Sequence, residues 1–160
     1  MRGMDAIRLV IGLGNPDPEY GATYHNIGHL FVDALIARDP HDARKLVKTD
    51  AYMNESGACV VSALKKYGLK PSEFLAVQDD SDIVIGEYKL SFARNAGGHR
   101  GIQNIIDHLG TNAFWRLRIG IRPAHERRRE KAEDLVLKRI SPADKTVLDG
   151  VFSRVMTSAL

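Results

Sequence analysis

The sequence predicts an α/β fold: a single domain spanning residues 1–160, with a mixed, mostly parallel sheet and helices on both faces. Three observations carry this. Short β-branched apolar runs alternate along the chain with segments whose apolar residues fall at helical spacing. The length, 160 residues, suits one domain with one substantial core. A chain with 44% hydrophobic and 27% charged residues has the balance of a globular protein, which excludes disorder, collagen and coiled coil.

Arg8-Leu-Val-Ile-Gly-Leu13 is a buried strand closed by glycine and proline. Gly14-Asn15-Pro16-Asp17-Pro18 is a loop, because its two prolines remove donors and restrict the residues before them. Over residues 26–38, Ile27, Leu30, Phe31, Ala34 and Leu35 mark a helix that Asp39-Pro40 ends. A short strand fits residues 45–48. Residues 54–67 read as a second helix, with Asn54 a good N-cap and Gly68 its stop. Phe74-Leu-Ala-Val-Gln78 is a second buried strand running into an acidic loop, Asp79-Asp80-Ser81-Asp82. Residues 87–93 alternate as a two-faced strand does. Gly97-Gly98-His99-Arg100-Gly101 opens a helix with Ile102, Ile105, Ile106 and Leu109 inward, and Trp115-Arg-Leu-Arg-Ile-Gly-Ile121 is another alternating strand. A short helix is expected over residues 132–140. Ser141-Pro142 then supplies an N-cap and a first-turn proline for the last helix.

Charge and composition narrow the partners. Lys and Arg number 23 against 20 Asp and Glu, an excess of +3 that permits an anionic partner without demanding one. Placement says more: residues 122–139 hold seven Lys/Arg against four Asp/Glu, with Arg127, Arg128 and Arg129 consecutive. That run is either a solvated loop or a phosphate contact. No apolar run approaches the roughly 18–20 residues that cross a bilayer, so no membrane segment is expected. The opening Met1-Arg2-Gly3-Met4-Asp5 carries an acid before a short apolar run that glycines and Asn15 break, so no signal peptide is expected. A lone Cys59 makes no internal disulfide, which fits a reducing cytoplasm.

In open α/β sheets, ligands sit beyond the carboxyl ends of strands, so the loops after Leu13 and Gln78 are the places to look. Gly12-Leu13-Gly14-Asn15-Pro16 is no dinucleotide turn, since Asp17 stands where the third glycine belongs and would repel a pyrophosphate. It presents the Asn15 amide, either to a substrate or to its own loop as an Asx-turn. His25 and His29 share the i, i+4 spacing of zinc ligands, but Asn26 replaces the glutamate of that motif. His25 alone, at a helix N-terminus, is disfavoured as an imidazolium by the dipole and so suits a general base, unless it merely caps or packs. Of the acids 79–82, a group of three could bind Mg²⁺ or form a solvated turn, while a single one could accept from a histidine N–H. No Gly-x-Ser-x-Gly elbow occurs, and Cys59 lies mid-helix among apolar residues, so a His–Asp pair without a nucleophile points to activated water. Asn54 either caps its helix or aims its amide at a substrate.

Six runs in order resemble bacterial-type peptidyl-tRNA hydrolases. They are Val10-Ile-Gly-Leu-Gly-Asn-Pro16 with Tyr20; His25-Asn26-Ile27-Gly28; Lys48-Thr-Asp-Ala-Tyr-Met-Asn54 with Ser56-Gly57; Gln78-Asp79-Asp80-Ser81-Asp82; Gly97-Gly98-His99-Arg100-Gly101-Ile102; and Trp115-Arg-Leu-Arg-Ile-Gly-Ile-Arg-Pro123. The resemblance implies a cytoplasmic, monomeric α/β enzyme of that family's fold, needing no cofactor or metal. It would hydrolyse the ester between a peptide's C-terminus and the 3′ ribose of tRNA, meeting the acceptor stem and 3′ CCA end.

By position in these motifs, His25 would activate water and Asp79 would orient it. Asn15 and Asn54 would position the peptide and stabilise oxyanion charge. Tyr20, Tyr52 and Met53 would line the peptide groove, with Asn26 and Arg100 also substrate-binding, and Lys89 and Arg118 would contact tRNA phosphate. Two departures stand out. Arg100 replaces the asparagine usual after the glycine-glycine-histidine run, which implies reduced or altered activity. The stretch 38–45 is shorter than the family's, which implies one or two missing edge strands. The alternative is a catalytically impaired RNA-binding relative of the same fold.

Overall fold

The computed structural model describes residues 4–160, so the reading of the chain's first three residues, Met1, Arg2 and Gly3, lies outside the described residues. Five strands, β1 (Leu9–Gly12), β2 (Lys45–Lys48), β3 (Phe74–Val84), β4 (Tyr88–Phe92) and β5 (Trp115–Arg122), form one sheet in the order β2-β1-β3-β5-β4. All neighbours are parallel except β4, which runs antiparallel on the β5 edge. The helices are α1 (Ile27–Arg38), α2 (Ser56–Tyr67), α3 (Arg100–Leu109), α4 (Ala132–Leu135) and α5 (Pro142–Ser158). No helix among the described residues is long and apolar enough to cross a membrane.

The strand pleat divides the core in two. Val10, Leu75, Val77, Leu117 and Ile119 face α1 and α5, meeting Phe31, Val32, Val151 and Phe152. Leu9, Ile11, Phe74 and Ala76 face α2 and α3, meeting Val60, Leu64, Ile102 and Ile105. Each helix therefore contributes one apolar stripe to a face of the sheet, the arrangement the alternating pattern predicts. Gly68 ends α2 in the left-handed conformation, with φ 65°. The Ser141 hydroxyl accepts from Asp144 N–H at 3.1 Å, which caps α5 ahead of Pro142.

Three expectations change. β3 does not stop at Gln78: it continues to Val84, so the acids lie along the strand's far end rather than in a loop. Arginines from β5 and the segment after it hold them there. Arg118 pairs with Asp80, Arg122 donates to Ser81 O, and Arg129 pairs with Asp82. Residues 132–140 form a helix only over α4. Beyond it the chain turns, and its carbonyls at Val136 and Lys138 accept from His25 N–H and Tyr24 N–H. Asn54 is not an N-cap. It sits in a short 3-10 turn, Met53–Glu55, with its amide making no cap bond.

One close approach fixes how α1 sits on the sheet. A Cβ on Gly28 would lie 2.4 Å from Leu13 N, 2.4 Å from Val77 O and 2.5 Å from Leu13 O. All three are backbone atoms and cannot swing aside. Gly28 therefore lets the start of α1 lie directly on β1 and β3. Gly28→Ala is expected to destabilise the protein by about 1–3 kcal/mol or more, from overpacking. It should also lift residues 24–26 off β3. Denaturant unfolding checks the first effect and hydrolysis at a temperature where the variant stays folded checks the second.

Candidate active site

The chain passes from β1 to β2 on one side and to β3 on the other, so a crevice opens between the carboxyl ends of β1 and β3. His25 enters it from a 3-10 turn, Tyr24–Asn26, that leads into α1. Asp79 rises from β3 beneath it, 1% exposed. His25 Nδ1 lies 2.9 and 2.8 Å from the two Asp79 carboxylate oxygens. With the Nδ1 proton donated downward, Nε2 is left as the acceptor for another proton.

A second imidazole, to which sequence reasoning assigned no role, completes the cluster. His99 Nε2 lies 3.2 Å from Asp79 Oδ1. Its Nδ1 accepts from Ile102 N–H at 3.2 Å, capping α3. An Nδ1 that accepts carries no proton, so His99 Nε2–H is the donor to Asp79. The Gly97-Gly98-His99 run before a helix was the available signal: a histidine at an N-cap whose other nitrogen is fixed by the cap.

These contacts decide the electrostatics. Burial pushes the Asp79 carboxyl up, but His25, and then His99, hold it well below the usual carboxylate range. For His25, burial pulls down first, yet the Asp79 charge and its hydrogen bond prevail, so the imidazole pKa is raised while Arg100 pulls against it. The sequence expectation, that a helix dipole keeps His25 neutral, is thus corrected. The adjacent carboxylate outweighs the dipole of a turn end.

Could this cluster hold a metal? His25, Asp79 and His99 offer one donor atom each within 4.8 Å of one another, the one such group among the described residues. The fit is poor. Both facing nitrogens carry protons donated to the carboxylate, and direct contacts of 2.8–3.2 Å leave no room for an ion between them. His29 belongs elsewhere: its Nε2 lies 3.0 Å from Thr49 Oγ1.

Beside His25 lies a cleft of about 270 Å³ lined by Asn15, Tyr20, His25, Tyr52, Met53, Asn54, Arg100 and Leu137. Its wall is two loops stitched together. Gly14 N–H donates to Thr49 Oγ1 at 3.2 Å, Met53 N–H to Asn15 Oδ1 at 2.8 Å, and Tyr52 O–H to Asp17 Oδ2 at 2.7 Å. With its carbonyl oxygen held by Met53, Asn15 keeps its amide N–H₂ for the cleft, and no Asx-turn forms. Asn26 departs from the expected substrate contact. It is 2% exposed, and its side chain closes a pair of bonds with the Asn15 backbone, 2.8 and 2.9 Å. It positions Asn15 and does not line the cleft.

The basic residues split. Lys89 is exposed on β4, in register with Arg118 on β5. Arg118 is 7% exposed and bound to Asp80 at 2.9 Å, which offsets much of its charge. Arg116, 1% exposed, donates to Gln78 Oε1 and to the carbonyls of Arg94 and Asn95, tying the segment that leads to His99 onto the sheet. Cys59 is half-buried with its thiol on Asp50, not buried among apolar residues.

Comparison with known proteins gives the chain's family. Residues 9–159 match the family described as Peptidyl-tRNA hydrolase. A peptidyl-tRNA hydrolase of Aquifex aeolicus is 37% identical over 168 residues, covering 94% of this chain and 86% of that one. One from Synechococcus is 38% identical, covering 91% and 72%. The crystal structure of peptidyl-tRNA hydrolase from Acinetobacter baumannii superposes with a TM-score of 0.82 at 34% identity, covering 95% of this chain and 86% of that one. A hydrogenase maturation protease of Thermococcus kodakarensis, 14% identical with a TM-score of 0.51, shares the fold alone. With its six motifs folded around one His–Asp–His cluster and matched across nearly its whole length, this chain belongs to the peptidyl-tRNA hydrolase family.

Proposed function

We propose that the protein hydrolyses peptidyl-tRNA with water activated by His25. The reading is carried by one observation: His25 Nδ1 sits on the Asp79 carboxylate, which accepts its N–H and leaves Nε2 free as a base on the cleft side. In this reading Nε2 takes a proton from water as the water oxygen bonds the ester carbonyl carbon. The tetrahedral species then expels the tRNA 3′ oxygen, which receives that proton from His25. Asn15 and Asn54 donate to the carbonyl oxygen as charge builds, and Tyr20, Tyr52 and Met53 line the peptide. An ester is already activated. A base worth roughly 100- to 10,000-fold and one or two donors worth about 3 kcal/mol each are a sufficient kit.

Substrate held by neutral amides and tRNA held by phosphate contacts would give generality without sequence preference. Lys89 is the exposed candidate for the acceptor-stem phosphate. Arg118 lies behind it, with Asp80 to be displaced or shared. The reading places a monomer in the cytoplasm, acting on the CCA end without a cofactor.

The test is incubation with N-acetylated aminoacyl-tRNA. Loss of the ester, with free tRNA and N-acetyl amino acid as products, is expected. An intact ester with retained tRNA binding would instead favour a non-catalytic relative.

A further inference from the structure

The cleft beside His25 meets a smaller cavity of about 100 Å³ lined by residues that include Asp79, Asp82, Gly98, His99 and Glu133. Two residues line both spaces: His25 and Arg100. Arg100 is the only lysine or arginine in either lining, and it opens α3 directly after the His99 cap. The aspartates around the seam are otherwise engaged. Asp79 holds two imidazoles, Asp80 holds Arg118 and Asp82 holds Arg129. Glu133, exposed on α4, makes no ion pair with Arg100. Among the described residues the Arg100 guanidinium has no ion-pair partner, and it stands beside the base.

A guanidinium with an uncommitted fork of donors, lining the same cleft as the base, is suited to bind a negatively charged oxygen. We infer that Arg100 is an anion-binding residue of this active site, joining the Asn15 and Asn54 amides at the carbonyl oxygen as it becomes an oxyanion and then holding the carboxylate of the released peptide. The inference rests on the hydrolase reading. The electron balance is simple. Attack by water moves the carbonyl π pair onto oxygen. Collapse returns it and breaks the bond to the 3′ oxygen, and the new acid loses its proton to solvent. Negative charge is thus present on the acyl oxygens in the transition state and again in the product. A neutral amide serves the first state, whereas a fixed cation serves both, so the protein should be inhibited by its own product. The charge also acts on the base. Asp79 from β3, and His99 and Arg100 from α3, face His25, with Asp80, Asp82 and Glu133 around the smaller cavity. Of these, Arg100 is the group that pulls the imidazole toward neutrality.

The test compares wild type with Arg100→Met, which keeps length without charge, and Arg100→Lys, which keeps charge. The site is exposed at a helix start, so both variants should fold, as circular dichroism would verify. On N-acetyl-aminoacyl-tRNA, Arg100→Met is expected to lower kcat about 100-fold, with KM changed far less. The inhibition constant of N-acetylglycine should rise about tenfold or more, as loss of a charged hydrogen bond implies. N-acetylglycinamide, which lacks the carboxylate, should be unaffected. Arg100→Lys should recover part of both effects, and the acidic limb of kcat/KM should move to higher pH in Arg100→Met. Wild-type kcat and wild-type N-acetylglycine inhibition in Arg100→Met would overturn the inference. Should wild type itself leave the ester intact, the hydrolase reading falls. Calorimetric binding of N-acetylglycine then decides Arg100 separately: weaker binding in Arg100→Met supports it, and equal or no binding in both proteins overturns it.

Discussion

Asp79→Asn is expected to lower kcat/KM by about 100- to 10,000-fold while leaving KM close to wild type. His99 decides the outcome. Its Nδ1 is committed to Ile102 N–H, so its Nε2–H must still find an acceptor at position 79. An asparagine there would turn its one carbonyl oxygen to His99 and its N–H₂ to His25 Nδ1. Facing a donor, His25 Nδ1 must accept, which moves the proton to Nε2. An imidazole protonated at Nε2 cannot take a proton from water. KM should hold because Asp79 is 1% exposed and lines the cleft's floor only through His25. Without the carboxylate charge, burial and Arg100 both act to lower the His25 pKa, so any residual activity should titrate at lower pH than wild type.

His25→Ala removes the base itself, and a loss of about 100- to 10,000-fold in kcat is expected. The informative variant is the double one. Asp79 acts only through His25 in this account, so Asp79→Asn on top of His25→Ala should cost little more in rate. Single-turnover hydrolysis of the four proteins measures this. Additive losses would show that Asp79 contributes to catalysis by some route other than orienting the imidazole.

Much of the fold was legible because its signals are local. Apolar period, Gly68 and the Ser141-Pro142 pair each report on a few neighbouring residues. What escaped depends on partners far along the chain. The acidic end of β3 reads as loop because Asp80, Ser81 and Asp82 have no apolar reason to be strand; Arg118, Arg122 and Arg129, some forty residues on, supply the reason. Likewise β5 reads as a strand with one solvent face, yet Arg116, Arg118 and Arg122 are buried, because each guanidinium finds carbonyls or carboxylates across the sheet. Residues 136–140 have helical composition, but their carbonyls are needed to hold the turn carrying His25.

The site divides along the same line. Strand-end placement pointed to Asn15 and Asp79 and a helix start to His25, and the fold brings His25 and Asp79 into contact. The cap position of His99 left a signal, but its bond to Asp79 and the part of Asn26 were not legible. A cap that fixes a tautomer, and an amide that clamps another asparagine's backbone, are relations between side chains that no spacing encodes.

The most direct measurement is the pH dependence of kcat/KM on N-acetyl-aminoacyl-tRNA. A base must be neutral to work, and Asp79 raises the pKa of His25, so the rate should climb through a single ionisation above the ordinary imidazole value of about 6.5. That limb should vanish in His25→Ala. A wild-type rate in His25→Ala, or a limb that persists there unchanged, would contradict the account.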